Sequence, residues 1–176
     1  GYGAAAFSTA ALDKPEEEQE AEQDELEAAD RAELLDLART TVETYVRTGQ
    51  VAEAGTGNPR LEKQAGAFVT LHKHGRLRGC IGQILPSRQP LYKVVQDMAV
   101  AACSEDPRFP PVSPAELGEL EYEVSVLSPP EPAADWRDIE LGRHGVIVRK
   151  GGRSGVFLPQ VAAGTGWERE EFLEHL

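Results

Sequence analysis

The spacing of apolar residues changes period several times along the chain, and each change predicts an element. Leu34, Leu35, Leu37, Ala38, Val42, Tyr45 and Val46 recur at near-helical spacing. Asp30, with Glu33 three residues on, supplies a helix start, and Gly49 an end. Residues 51–66 contain Gly55, Gly57, Asn58-Pro59 and Gly66 and read as a connecting loop. Residues 67–71 and 76–81 read as strands, and His72-Lys73-His74-Gly75 as the turn between them. This predicts a hairpin with Cys80 near its far end. Pro90 fits the first position of a helix whose stripe is Leu91, Val94, Val95, Met98, Ala99 and Ala102, with Cys103 packed at its end. Ser113, Pro114 and Glu116 start a short helix before Gly118. Leu120, Tyr122, Val124 and Val126 then alternate with Glu121, Glu123 and Ser125, the pattern of a half-buried strand. Residues 145–150 and 154–158 flank Gly151-Gly152 and predict a second hairpin. Thr165 and Glu168 cap a final helix carrying Trp167, Phe172, Leu173 and Leu176.

Composition narrows the classes. The 176 residues fit one domain with a small lobe, and a 40% hydrophobic content is enough for a proper core. The net charge of −12 argues against a nucleic-acid backbone as partner. Residues 16–33 hold ten acidic side chains against one arginine, so much of that excess sits in one tail, and 1–29 read as an acidic linker. Arg76, Arg78, Arg143, Arg149, Lys150 and Arg153 form no basic run and read as scattered surface charges. Two cysteines are too few for a disulfide framework or a four-thiolate cluster and suggest a reducing compartment. The opening GYGAAAFSTAAL lacks the basic segment of a secretory signal, and no apolar run approaches the ~20 residues that span a bilayer. The expected location is the cytoplasm. No phosphate loop, HExxH, GxSxG or dinucleotide pattern is present, so no cofactor is expected.

One stretch carries candidate chemistry. Leu77-Arg78-Gly79-Cys80-Ile81-Gly82 places a thiol between two glycines, two residues from a cation. Glycine in a strand marks a bulge or a close approach to the backbone, and nearby positive charge favours a thiolate. Against this, cysteine is among the most buried residue types and often only packs. His144, in Gly142-Arg143-His144-Gly145 at a strand mouth, is a candidate acid or base. Glu123 and Ser125 belong to a solvated sheet face, or to the site if that face lines a cleft. His72 and His74, two apart on a turn, read as turn residues, and no metal site is expected.

These motifs resemble the AMMECR family, also called component A of the AmmeMemoRadiSam system. The resemblance rests on the LRGCIG stretch and extends through Pro86 and the following helix, Asp106-Pro107-Arg108-Phe109 and residues 121–127. It continues through His144-Gly145-Val146 and Gly155-Val156-Phe157-Leu158-Pro159-Gln160-Val161 to Trp167, covering roughly 31–176. It implies an α+β fold of two unequal subdomains, an antiparallel sheet flanked by helices, and a cleft near the Cys80 motif. It also implies a Memo-like protein or domain and a radical-SAM protein as partners. The expected domain is 30–176, shortened at Leu176 relative to the family. Gly1-Tyr2-Gly3-Ala4-Ala5-Ala6-Phe7 resembles the last strand of a Memo-like domain, which suggests a Memo–AMMECR fusion.

Two functions follow. One is a cysteine-dependent enzyme of unknown substrate, small molecule or macromolecule. Cys80 is then the nucleophile, His144 the base and Glu123 a further catalytic candidate, with Arg78, Gly79, Gly82 and Ser125 holding substrate. The other is a non-catalytic module that binds or positions a substrate for the Memo-like and radical-SAM partners.

Overall fold

The computed structural model describes residues 3–8, 26–133, 135–140, 143–150 and 153–157. The acidic stretch before residue 26, the Leu158–Val161 part of the FLPQV block and the expected final helix lie outside them. The chain divides into two compact units, Pro15–Val126 and Gly1–Lys14 with Leu127–Leu176. Helices and antiparallel strand pairs make the fold α+β.

The Pro15–Val126 unit is built on helix α1 (Ala28–Thr48), strands β2 (Gly66–Lys73) and β3 (Arg76–Gln83), helix α2 (Leu91–Ser104), a 3-10 helix (Pro114–Glu119) and strand β4 (Leu120–Leu127). The strands form a sheet in the order β3-β2-β4. Leu34, Ala38 and Val42 come every fourth residue on α1. They bury against Val94, Val95, Ala99 and Ala102 of α2 and Ala67, Val69 and Leu71 of β2 in one core. Tyr122, Val124 and Val126 of β4 pack onto the same core, as their alternation predicted.

Local chemistry moves the predicted boundaries by a few residues. Helix α1 begins at Ala28, ahead of the expected Asp30, because Asp30 reaches back to accept the Glu27 N–H at 2.8 Å. Asp30 also accepts a 2.6 Å bond from Asn58 Nδ2, which ties the long loop to the helix start. Gly49 ends the helix as expected, its N–H bonding the Tyr45 carbonyl at 2.7 Å. Pro90 stands just before α2 rather than inside it. The buried Gln96 donates 2.8 Å to the Ala52 carbonyl and so fastens the loop between α1 and β2.

The first hairpin is present, with a tighter turn than the sequence suggested. His72 and Lys73 stay in β2, and the turn is His74-Gly75 with φ of 53° and 70°, the left-handed pair of a type I′ turn. Leu71 faces Gly79 while His72 faces Leu77, so Arg78 is an extra residue, a β-bulge. Beyond the bulge, Cys80 faces Thr70 and Gly82 faces Phe68.

The other unit contains β1 (Gly3–Ser8), β5 (Glu131–Pro132), a 3-10 turn (Trp136–Asp138), β6 (His144–Lys150) and β7 (Arg153–Phe157), with sheet order β5-β1-β6-β7. The predicted second hairpin is β6 and β7, paired antiparallel. Two features differ from expectation. Glu131 and Pro132, read as stiff linker, pair with Ala6 and Ala5. Of residues 1–7, read as a remnant of a Memo-like domain, 3–7 join Ser8 in a strand between β5 and β6 in this sheet, and the fusion reading is not borne out.

The two motif glycines have different neighbours. A Cβ at Gly79 would run into the Ala102 carbonyl oxygen, part of the α2 backbone; one at Gly82 would strike the Phe68 ring. A ring can swing aside and a helix carbonyl cannot. Gly79→Ala is therefore expected to cost about 1–3 kcal/mol of unfolding free energy in urea titrations, and Gly82→Ala less. An unchanged midpoint for Gly79→Ala would contradict this packing.

Candidate functional site

Strand β3 is an edge of its sheet, so every other residue turns its N–H and C=O outward. At Cys80 those groups do not face a strand. The Cys80 N–H donates to Asp106 Oδ2 at 2.8 Å, and Arg108 Nη2 donates to the Cys80 carbonyl at 3.0 Å. Two side chains thus replace a missing neighbour strand. They are locked to each other, with Arg108 Nε 2.9 Å from Asp106 Oδ1 and Nη2 2.7 Å from Oδ2. The Arg108 N–H also bonds Oδ1, at 3.1 Å. Pro107 between them makes the loop rigid. The Asp106 side chain is 2% exposed and that of Arg108 is 53% exposed, so the acid is sealed and the base faces outward.

The thiol has its own partners. Thr70, directly across on β2, donates its hydroxyl to Cys80 Sγ at 3.2 Å. The pair lies with Phe68 on the face away from the helices, because Val69 and Leu71 take the core side. Cys80 is half-buried, whereas Cys103 is buried and bonds the Val100 carbonyl at 3.1 Å. Burial pushes the Cys103 thiol up to about 11.

Arg78, expected to hold an anion beside Cys80, is committed elsewhere. Its Nε and Nη2 meet Glu116 Oε1 and Oε2 at 2.9 and 3.1 Å, a bidentate pair with 11% of the Arg78 side chain exposed. Glu116 also accepts the Ser113 N–H at 3.0 Å, so one carboxylate starts the 3-10 helix and fastens the bulge. Both cations stand near the Phe109 ring, the Arg78 guanidinium 5.9 Å and that of Arg108 5.6 Å from its centre. Arg108 is thus the cation at the cysteine. Its pKa is raised, first by Asp106 and to a lesser extent by Cys80. Gly79 and Gly82 lack side chains for steric reasons, given the atoms above them.

Glu123 and Ser125 are two strands away on β4, joined by a 3.4 Å bond from the serine hydroxyl. Glu123 also borders a cavity of about 260 Å³ between α1 and β4, lined by Leu26, Leu34, Tyr122 and Val124 and not by Cys80. His144 belongs to the other unit, where its Nδ1 accepts the Glu140 N–H at 3.1 Å. Asp106, Arg108, Thr70 and Glu116 were not among the sequence candidates. The DPRF run held the signal: an acid and a base two apart across a proline are placed to chelate one backbone position.

The fold and this site define an α+β domain whose cysteine is strapped to a sheet edge by an aspartate–arginine pair. The AMMECR1 family model matches residues 35–176, and the chain belongs to that family. A protein of Thermococcus gammatolerans is 48% identical over 151 residues, covering 80% of this chain and 73% of that one. A Thermotoga maritima protein is 49% identical over 123 residues, covering 68% and 71%. The crystal structure of the uncharacterized protein PH0010 from Pyrococcus horikoshii is similar, with a TM-score of 0.77, 42% identity and 81% and 75% of the two chains covered.

The strap predicts a pH dependence. Arg108 beside Asp106 and Arg78 beside Glu116 hold both carboxyls well below the usual carboxylate range. Folded values below unfolded ones mean stability that is present above the ordinary values of 3.8 and 4.5 and is lost as pH falls toward the folded ones. Urea midpoints are expected to hold from neutral pH to about 5 and then decline, the decline being shallower in Asp106→Asn. An equal acid slope in that variant would show that the strap does not contribute it.

Proposed function

We propose that this AMMECR1 domain is a cysteine-dependent enzyme with Cys80 as nucleophile. It acts in the cytoplasm on a substrate shared with Memo-like and radical-SAM partners. One observation carries the chemical part: side-chain bonds to both its N–H and its carbonyl fix Cys80, a hydroxyl donates to its sulfur, and the guanidinium that holds its carbonyl is the nearby cation. A nucleophile needs a fixed position, and a thiolate is stabilised by a cation and by hydrogen bonds to sulfur. The partners are supported by the resemblance of the LRGCIG, DPRF and FLPQV runs to component A of a three-member system.

A binding module is the second reading. It is favoured by the steric roles of Gly79 and Gly82 and the structural pairing of Arg78 with Glu116. On that view the motif shapes a surface and the sulfur only packs.

Differential alkylation separates the two. Iodoacetamide is expected to modify Cys80 at least about tenfold faster than Cys103, whose buried thiol holds its proton. Thr70→Val should slow Cys80, and Cys80→Ser should remove the fast label while leaving the circular dichroism unchanged. His144→Ala in the same assay tests the base role, which an unchanged Cys80 rate would remove. If Cys80 reacts no faster than Cys103 in the folded protein, the enzyme reading falls and the binding module stands.

A further inference from the structure

Among the described residues, one edge of Arg108 makes no hydrogen bond. Its Nε and Nη2 are spent on Asp106 Oδ1, Asp106 Oδ2 and the Cys80 carbonyl. The Phe109 ring stands 5.6 Å from the guanidinium carbon. No bond from Nη1 is found among the described residues, and the side chain is 53% exposed. Arg78 offers the contrast: it has the same fork geometry on Glu116, but its side chain is 11% exposed and turned into the protein. Asp106, the one acid bonded to Arg108 among the described residues, is sealed at 2% exposure and has both oxygens occupied, so it presents no negative face at the free edge.

A guanidinium held by three bonds to the backbone and acid of the Cys80 strap keeps its charge and its Nη1 donors, so it can give a charge-assisted hydrogen bond to an anion that approaches the Cys80 position. We propose that the Nη1 edge of Arg108 is a carboxylate-recognition element, so that Cys80 meets substrates bearing a carboxylate-type anion close to the carbon its sulfur approaches. The proposal deepens the nucleophile reading and rests on it; Arg108 gains a binding role beside its strap role.

Two alkylating reagents of nearly equal shape test it. Iodoacetate and iodoacetamide react alike: the Sγ–C bond forms as the C–I bond breaks, iodide leaves with the bonding pair, and the thiol proton passes to buffer. They differ in a carboxylate against a neutral amide. The readout is the iodoacetate-to-iodoacetamide rate ratio at Cys80 in the folded protein, divided by the ratio for the same cysteine in the urea-unfolded chain. The quotient is expected to be about tenfold above one, to fall with added salt, and to drop to near one in Arg108→Gln. Arg108→Lys, which keeps the charge and loses the fork, should lie between. The salt series on the unaltered protein still tests the role if Arg108→Gln does not fold. A quotient near one, or one that neither salt nor loss of Arg108 reduces, overturns the carboxylate role while leaving Cys80 reactive. Failure of both reagents at folded Cys80 overturns the nucleophile reading itself, and this role with it.

Discussion

One buried carboxylate organises the site. Asp106 has four donors on its two oxygens: the Cys80 N–H, the Arg108 N–H, and the Nε and Nη2 of the Arg108 guanidinium. A carboxylate has about four lone-pair positions, so it is fully satisfied despite its burial. That matters because an ionised acid removed from water is costly unless paired and hydrogen-bonded. The same bonds close part of an open sheet edge. Native proteins blunt such edges with charges, bulges or covering loops, and β3 has all three within three residues: the bulge at Arg78, the 106–109 loop and the ion pair it carries.

Arg78–Glu116 and Arg108–Asp106 share the Phe109 ring, yet their exposures are opposite. In the first the arginine is the more buried member, in the second the acid. A buried pair tends to break even against an apolar one and is strongly destabilising only when one partner is removed. What such pairs add is placement. Glu116 fixes the bulge from the side of the 3-10 helix, and Asp106 fixes the residue two further along from the loop after α2. The backbone at Gly79, between these two ties, therefore sits close against α2, and the Ala102 carbonyl occupies the space of a side chain.

The strands and helices were legible because each buries one face, and a period of two or near four survives in Val69 and Leu71, in Tyr122 to Val126, and in Leu34, Ala38 and Val42. Cys80's place near the end of a hairpin followed from the same pattern. The boundaries were less legible, since Asp30 works backward from inside its helix and the His74-Gly75 turn needs only two residues. The bonds of Arg78 run to Glu116 for a clear reason. Sequence adjacency made it the cation of Cys80, but a bulge and a carboxylate at position 116 draw it off, and Arg108 takes that place from 28 residues away. Nothing in local pattern reports which of two arginines a fold will bring to a thiol. Strand β5 was missed because a Glu-Pro step has weak strand preference and only pairing makes it a strand, and the strand read at the start of the chain was assigned to another domain because alanines carry no sign of their partner.

Most of the LRGCIG run is accounted for without chemistry. Arg78 is the bulge residue and ties to Glu116. Gly79 admits the α2 carbonyl, Ile81 packs on the core, and Gly82 lies under the Phe68 ring. At Cys80 the strap grips main-chain atoms that any residue except proline would offer, so it explains why the position is fixed and not why it carries sulfur. Among the described residues, the one bond to the thiol comes from the Thr70 hydroxyl, which would serve a serine as well. Packing therefore determines the surroundings and leaves the side chain itself unexplained. This asymmetry between a determined backbone and an undetermined sulfur is the physical ground of the proposal that Cys80 reacts.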